Sequence, residues 1–381
     1  MRNTSGLSQP CCVSGGKPEG RGGKEMTAKK MVRNIEPDDP MLQYSGRIDD
    51  DDPKAPVLIY AASWVKMIFT GTSVAVTLAN HHAYWTNEMG YLLDGVQGRI
   101  RLLNDGKKKT YEIAEQLPDA RHELMLFKRM DACHTVTFYG FTVDDGADLL
   151  PPEPKPARRM EVFGDSVSCG EVSEAVDYVG KEDPVHDGQY SNSWYSYAWM
   201  TARRLNAQIH DIAQGGIALR DHTGWFYEPE AIGMETAWNK IHYNPLFGNA
   251  TEWDFSKYTP QVVIVAIGQN DNHPDDYMKE DYNSERSKQW REHYKAFIEG
   301  LKKQYPEAKI VCCTTLLCHD ESWDRSIGEV VKELDHPDIT QCLFTRNGKG
   351  TPGHLRIPEA EEMSQELADY IEKLNVKGWE K

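Results

Sequence analysis

No apolar run in the sequence is long enough to cross a bilayer. Val262 to Ile267, the longest near the middle of the chain, falls far short of the roughly 20 residues a spanning helix needs. Positive charge is also scarce: 43 Lys and Arg stand against 59 Asp and Glu, a formal charge of −16 over 381 residues. Affinity for nucleic acid comes mainly from Lys and Arg neutralising phosphates, so this balance disfavours that class and suits neutral or cationic ligands. The eight cysteines, at 11, 12, 133, 169, 312, 313, 318 and 342, are too scattered for a small-domain disulfide framework and are read as mostly reduced. Cys312 and Cys313 would face opposite sides of one strand, so with Cys318 and His319 they make a poor tetrahedral zinc site. No metal or cofactor is expected. The first thirty residues lack the apolar core of a signal peptide, which predicts a cytoplasmic protein without membrane or nucleic-acid partners.

What is present falls into four stretches. Residues 1–36 are rich in Gly, Lys and Arg without apolar periodicity, which predicts a disordered tail and leaves Met26 or Met31 as alternative starts. Residues 37–150 alternate with period two, as in Trp64–Phe69, Ser73–Leu78 and His134–Tyr139, between turn signals such as Asp94-Gly95, Asn104-Asp105-Gly106 and Asp145-Gly146. That spacing predicts a β-sandwich. Residues 151–158 carry Pro151, Pro152, Pro154 and Pro156 and predict a stiff linker. In 159–376, strands at Arg159–Phe163, Gln208–Ile212, Val262–Ile267 and Lys309–Thr315 alternate with helices at Trp194–Leu205, Ser287–Gln304 and Pro358–Leu374. Such alternation predicts an α/β domain with a parallel sheet and helices on both faces.

The chemistry-bearing residues cluster at predicted strand ends. Gly164-Asp165-Ser166 closes the first strand of the α/β domain, and Gly215-Gly216 follows the second. Gly268-Gln269-Asn270-Asp271 follows the third, and His354 precedes the last helix. Ligands of open α/β sheets bind at the carboxyl edge, where all four would converge. A serine nucleophile needs a base, and a tetrahedral oxyanion needs donors aimed at it. Each block alone is an ordinary turn; together they point to serine-dependent acyl chemistry.

In order and spacing these blocks resemble the four signatures of the SGNH, or GDSL-type, hydrolase superfamily. Phe138-Tyr139-Gly140-Phe141, the Pro-rich hinge and Arg159-Met160-Glu161-Val162-Phe163-Gly164-Asp165-Ser166 further resemble carbohydrate esterase family 2. The resemblance implies a jelly-roll sandwich followed by a flavodoxin-like hydrolase domain acting on acetylated xylan- or mannan-derived oligosaccharides through an acetyl-serine intermediate. It makes Ser166 the nucleophile and His354 the general base. The backbone N–H groups of Ser166 and Gly216 and the side-chain amide of Asn270 would form the oxyanion hole, with Gly215 as an alternative to Gly216. Superfamily members commonly carry an aspartate three residues before the histidine, whereas Thr351-Pro352-Gly353 precede His354 here. A Ser166–His354 dyad oriented by a main-chain carbonyl is therefore expected. Asp165 is expected to hold its own turn, Cys169 to pack in the core, and Trp225 and His273 to contact substrate. The competing readings are a sugar-binding protein with a decayed hydrolase domain and a lipase or thioesterase of the same superfamily.

Overall fold

A computed structural model of the chain describes residues 32–379. The tail expected at 1–36 lies outside the described residues except for its end, where β1 (Val32–Ile35) pairs antiparallel with Phe141–Asp144. Four residues carry too little pattern to announce a strand; their partner supplies it.

The N-terminal half forms two antiparallel sheets. One contains β1, β3 (Ile48–Asp49), β4 (Val57–Leu58), β6 (Val74–His82), β9 (Lys109–Ala114) and β11 (His134–Asp144). The other contains β2 (Gln43–Ser45), β5 (Trp64–Gly71), β7 (Glu88–Leu93), β8 (Val96–Arg101), β10 (Ala120–Lys128) and β12 (Leu149–Leu150). Alternate residues of β5, β6, β10 and β11 meet in a core of Val65, Met67, Phe69, Val76, Leu78, Leu124, Leu126, Val136 and Phe138. Asp94 and Gly95 both take positive φ in the two-residue β7–β8 turn, the geometry that matches strand twist. Gly140 makes a bulge in β11 with φ +108°, where a Cβ would sit 2.1 Å from the Ile35 carbonyl oxygen.

The C-terminal half is a five-stranded parallel sheet in the order β14-β13-β17-β18-β19. Its strands are β13 (Arg158–Gly164), β14 (Ala207–Ala213), β17 (Val262–Ala266), β18 (Lys309–Cys313) and β19 (Ile339–Gln341). Between β14 and β17 lies a short hairpin of β15 (Lys240–His242) and β16 (Thr251–Glu252). Helices α1 (Ser166–Cys169), α2 (Tyr197–Arg204), α3 (Met234–Ala237), α4 (Tyr277–Glu280), α5 (Glu285–Gln304), α6 (Glu321–Leu334) and α7 (Ile357–Ile371) complete the domain. The middle strand β17 reads Val-Val-Ile-Val-Ala and is buried throughout because apolar clusters cover both its faces. In chain order the strands run 2-1-3-4-5, the flavodoxin-like arrangement, and the order reverses between β13 and β17. No helix of the described residues is long and apolar enough to cross a membrane.

The two halves are tied by buried polar contacts. Arg47, from the turn after β2, is fully buried and pairs with Glu161 on β13 at 3.1 Å, while its Nη1 donates to the Trp238 carbonyl at 2.6 Å. Lys128, at the end of β10, is buried as well and donates to the Met130 carbonyl at 2.7 Å, with desolvation lowering its pKa. Arg129, in the β10–β11 loop, donates to the Ser191 carbonyl at 3.1 Å and pairs with Glu174 at 2.7 Å, which ties that loop to the α/β half.

Candidate active site

Ser166 opens α1 immediately after β13. Asp165 caps that helix: its carboxylate accepts from the Val167 N–H at 3.0 Å and from Gln269 Nε2 at 2.9 Å. It therefore shapes the turn rather than joining the reaction, as its sequence position suggested. The Ser166 N–H is among the first N–H groups of the helix, which lack intrahelical acceptors.

His354 lies on the loop before α7, and its Nε2 is 2.8 Å from Ser166 Oγ. The other ring nitrogen corrects the expected dyad. Nδ1 faces not a carbonyl but the carboxylate of Asp183, at 2.5 Å, and the other Asp183 oxygen accepts the His354 N–H at 2.9 Å. Arg356, fully buried, pairs with the same carboxylate at 2.9 Å. Burial opposes ionisation of Asp183, but the bond to His354 and the charges of His354 and Arg356 prevail and hold it at about 2. Asp183 precedes His354 by 171 positions, so no local spacing announces it. One trace exists: a Cβ on Gly353 would lie 2.5 Å from Asp183 Oδ1, so the glycine before the histidine admits the acid's loop.

Burial disfavours protonation of His354, yet the charge of Glu171, the hydrogen bond and charge of Asp183, and the charge of Asp165 together raise it to about 9. Glu171 is itself pushed up to about 7, chiefly by burial, with His354 opposing and Asp131, Asp183 and Asp165 adding to the rise. Cys169 is buried and does not line the cavity that holds Ser166 and His354, and burial drives its thiol well up.

The paired glycines divide their roles. The Gly215 N–H donates to Asp131 Oδ2 at 2.6 Å, and Gln214 Nε2 donates to the same oxygen at 2.7 Å. Among the described residues no hydrogen bond engages the Gly216 N–H, whereas that of Gly215 is taken. Gly216 has φ +74°, and a Cβ there would lie 2.8 Å from Trp225 Cβ. Asn270 follows β17 at the point where strand order reverses. Its Nδ2 rests 3.1 Å from the Ile217 carbonyl. Asp271 accepts the N–H groups of Leu219 and Arg220, tying the β14 loop to the β17 loop.

Ser166, His354, Gly215, Gly216, Asn270 and Trp225 line one cavity of about 400 Å³. Trp225 is 56 % exposed and stacks on His273 with ring centroids 3.4 Å apart. His273 does not line this cavity. It supports Trp225 and contacts Glu228 at 2.7 Å, so its expected substrate contact gives way to a place behind the tryptophan. Sequence reasoning missed Tyr84, Trp85 and Asp131, which reach the cavity from the sandwich, and Glu171, which follows α1. A second cavity of about 400 Å³, bordered by Tyr44, Lys155, Arg159 and His210, lies where β13 and β14 begin, and Ser166, Gly216, Asn270 and His354 do not line it.

A doubly wound domain with a serine, histidine and aspartate in line at its carboxyl edge, roofed by a β-sandwich, defines a serine hydrolase architecture of the SGNH type. The family model described as carbohydrate esterase 2 N-terminal matches residues 44–153. Cellulase/esterase CelE of Acetivibrio thermocellus is 30 % identical over 90 % of this chain, and the chain spans 40 % of that protein's length. The acetylxylan esterase / glucomannan deacetylase of Cellvibrio japonicus is 26 % identical, with 90 % of this chain and 91 % of the relative covered. A solved family two carbohydrate esterase from Clostridium thermocellum, in complex with cellohexaose, superimposes with a TM-score of 0.72 at 27 % identity, covering 89 % of this chain and all of that one. Over nine-tenths of its length the chain is similar to esterases of carbohydrate esterase family 2, and residues 44–153 match that family's N-terminal model.

Proposed function

We propose that the protein is a carbohydrate O-acetyl esterase that removes acetyl groups from xylan- or mannan-derived oligosaccharides through a covalent acetyl-serine. The observation that carries this reading is the continuous line from Asp183 through His354 to Ser166 Oγ, opening on a cavity with aromatic walls. His354 Nε2 takes the Ser166 proton as Oγ attacks the acetyl carbonyl. The Ser166 and Gly216 N–H groups and Asn270 Nδ2 face the oxyanion, and His354 then protonates the departing sugar oxygen. Water repeats the sequence on the acetyl-serine. Asp183 fixes the histidine tautomer and stabilises the imidazolium that forms. Sugars are held by flat aromatic faces with a few hydrogen bonds, which Tyr84, Trp85 and Trp225 supply. The names of the relatives, an acetylxylan esterase / glucomannan deacetylase among them, support the acetyl group and the glycan.

The test is acetate release from acetylated xylo- and manno-oligosaccharides by the chain and its Ser166→Ala variant. Release by the parent alone is expected. Sugar binding without release by either protein would overturn the reading in favour of a binding protein, and faster cleavage of long acyl esters would overturn it in favour of a lipase.

A further inference from the structure

The relay and the oxyanion loop account for most polar groups of the catalytic cavity but leave Glu171, beyond its charge beside His354, without a hydrogen-bond partner among the described residues. Its N–H donates to the Ser166 carbonyl at 3.0 Å, which sets the side chain one turn beyond the nucleophile. The side chain is 11 % exposed and lines the cavity. Oε1 lies 4.0 Å from His354 Nε2, beyond hydrogen-bond reach, and among the described residues no side-chain hydrogen bond reaches Glu171. The contrast with the neighbouring acids is chemical. Asp131 is taken by Gln214 and Gly215, and Asp183 by His354 and Arg356. Glu171 thus presents to the cavity a carboxyl group with no protein donor among the described residues, and titratable groups so placed in clefts mark functional sites.

What would fill it follows from the reaction. The leaving sugar oxygen must approach His354 Nε2 within hydrogen-bond distance to collect its proton. A free hydroxyl on the same sugar, close to the acetylated position, then falls within reach of an oxygen 4.0 Å from that nitrogen. The cavity lining contains Asp131 and Glu171 but no Lys or Arg, so a sugar carboxylate would find repulsion where a hydroxyl finds an acceptor.

We propose that Glu171 is a specificity-determining residue whose carboxyl group accepts a hydrogen bond from a free hydroxyl of the sugar that carries the ester. The cavity thereby selects neutral, partly acetylated sugars over esters lacking that hydroxyl. The inference rests on the esterase reading above. Elevation of the Glu171 carboxyl by burial is compatible with it, because a neutral carboxyl still offers a carbonyl oxygen as acceptor.

The experiment compares kcat/KM for a monoacetylated methyl glycoside and its peracetylated counterpart, with 4-nitrophenyl acetate as an ester that has no hydroxyl. The full chain and its Glu171→Ala and Glu171→Gln variants are measured, with near-ultraviolet circular dichroism as the check on folding. The parent should prefer the monoacetylated sugar by about ten- to a hundredfold per ester, the range of a hydrogen bond to a charged group. Glu171→Ala should erase the preference, and Glu171→Gln, whose amide oxygen still accepts, should keep most of it. No preference in the parent overturns the proposal, as does a preference that survives in Glu171→Ala. Equal loss in Gln and Ala overturns it as well, because the effect would then belong to the charge beside His354. A parent that cleaves 4-nitrophenyl acetate but shows no sugar preference fails only this inference. One that cleaves no ester fails the esterase reading too.

Discussion

At the level of single residues, His354 is held between two carboxylates, Asp183 on Nδ1 and Glu171 on the Nε2 side. A general base works only when unprotonated. With His354 raised from 6.5 to about 9, kcat/KM should climb with pH through about 9, not through the range of free imidazole. The same rise is linked to stability. Because the folded pKa lies above the unfolded one, protonated His354 stabilises the fold fully below about pH 6.5, and that contribution is lost as pH rises through about 9. Asp183→Asn removes the acceptor of the charged form. It should move the acid limb of the pH profile to lower pH and cut kcat by on the order of 10³ to 10⁴-fold, as for the acid of other triads. A pH–rate profile with an unmoved limb and nearly full activity would restore the dyad. That Ser166 and His354 would meet was legible because each sits in a short block at a strand or helix end. The acid was not, because tertiary folding alone brings its loop, far back in the chain, to the histidine.

Among the secondary-structure elements, the strands and helices that position the site were legible to within a few residues, since β17 is a fully buried continuous apolar run, β13 and β14 are short runs with buried carboxyl-terminal halves, and α5 is long and periodic. Helix α6 was not in the predicted order although Trp323, Ile327 and Val330 mark a buried face. Gly328 interrupts it, a residue that weakens helices in isolation. A Cβ there would come within 2.6 Å of Gln341 Oε1, the mobile end of a side chain. The oxyanion loop shows how one element depends on another half of the molecule. Asp131, from the sandwich, takes the Gly215 N–H, while no hydrogen bond among the described residues engages the neighbouring Gly216 N–H. Asn270→Ala should slow turnover by roughly 10² to 10³-fold with little change in KM, the usual loss of one oxyanion donor. Asp131→Ala, which frees the Gly215 N–H without touching Ser166, should lower kcat by about tenfold or more while leaving the His354 limb within reach of Nε2 chemistry intact. Steady-state kinetics on an acetyl ester check both; an unchanged kcat in Asp131→Ala would mean the glycines hold their register alone.

For the molecule as a whole, the cavity exists only because two halves of different architecture meet. Tyr84, Trp85 and Asp131 come from one half, and Ser166, Asn270 and His354 from the other. The seam is held by Arg47, which crosses into the α/β half, pairs with Glu161 and lies over the rings of Phe163, Trp253 and Phe255. Glu161 also accepts from Tyr305 Oη at 2.6 Å. A buried pair adds little net stability when formed, but removing one partner leaves an unpaired charge, at a cost of about 3 to 5 kcal/mol. Arg47→Met should therefore destabilise the protein by about that much in urea unfolding, and Arg47→Met with Glu161→Gln should recover most of the loss because no charge is then stranded. The seam also predicts an order of events. In the parent, esterase activity and far-ultraviolet circular dichroism should vanish together as urea rises. In Arg47→Met, activity should fall at lower urea than the dichroism signal, since separating the halves dismantles the cavity before either sheet melts. Coincident loss in the variant would show that the halves stay joined without Arg47, and that the catalytic cavity is as robust as the fold itself.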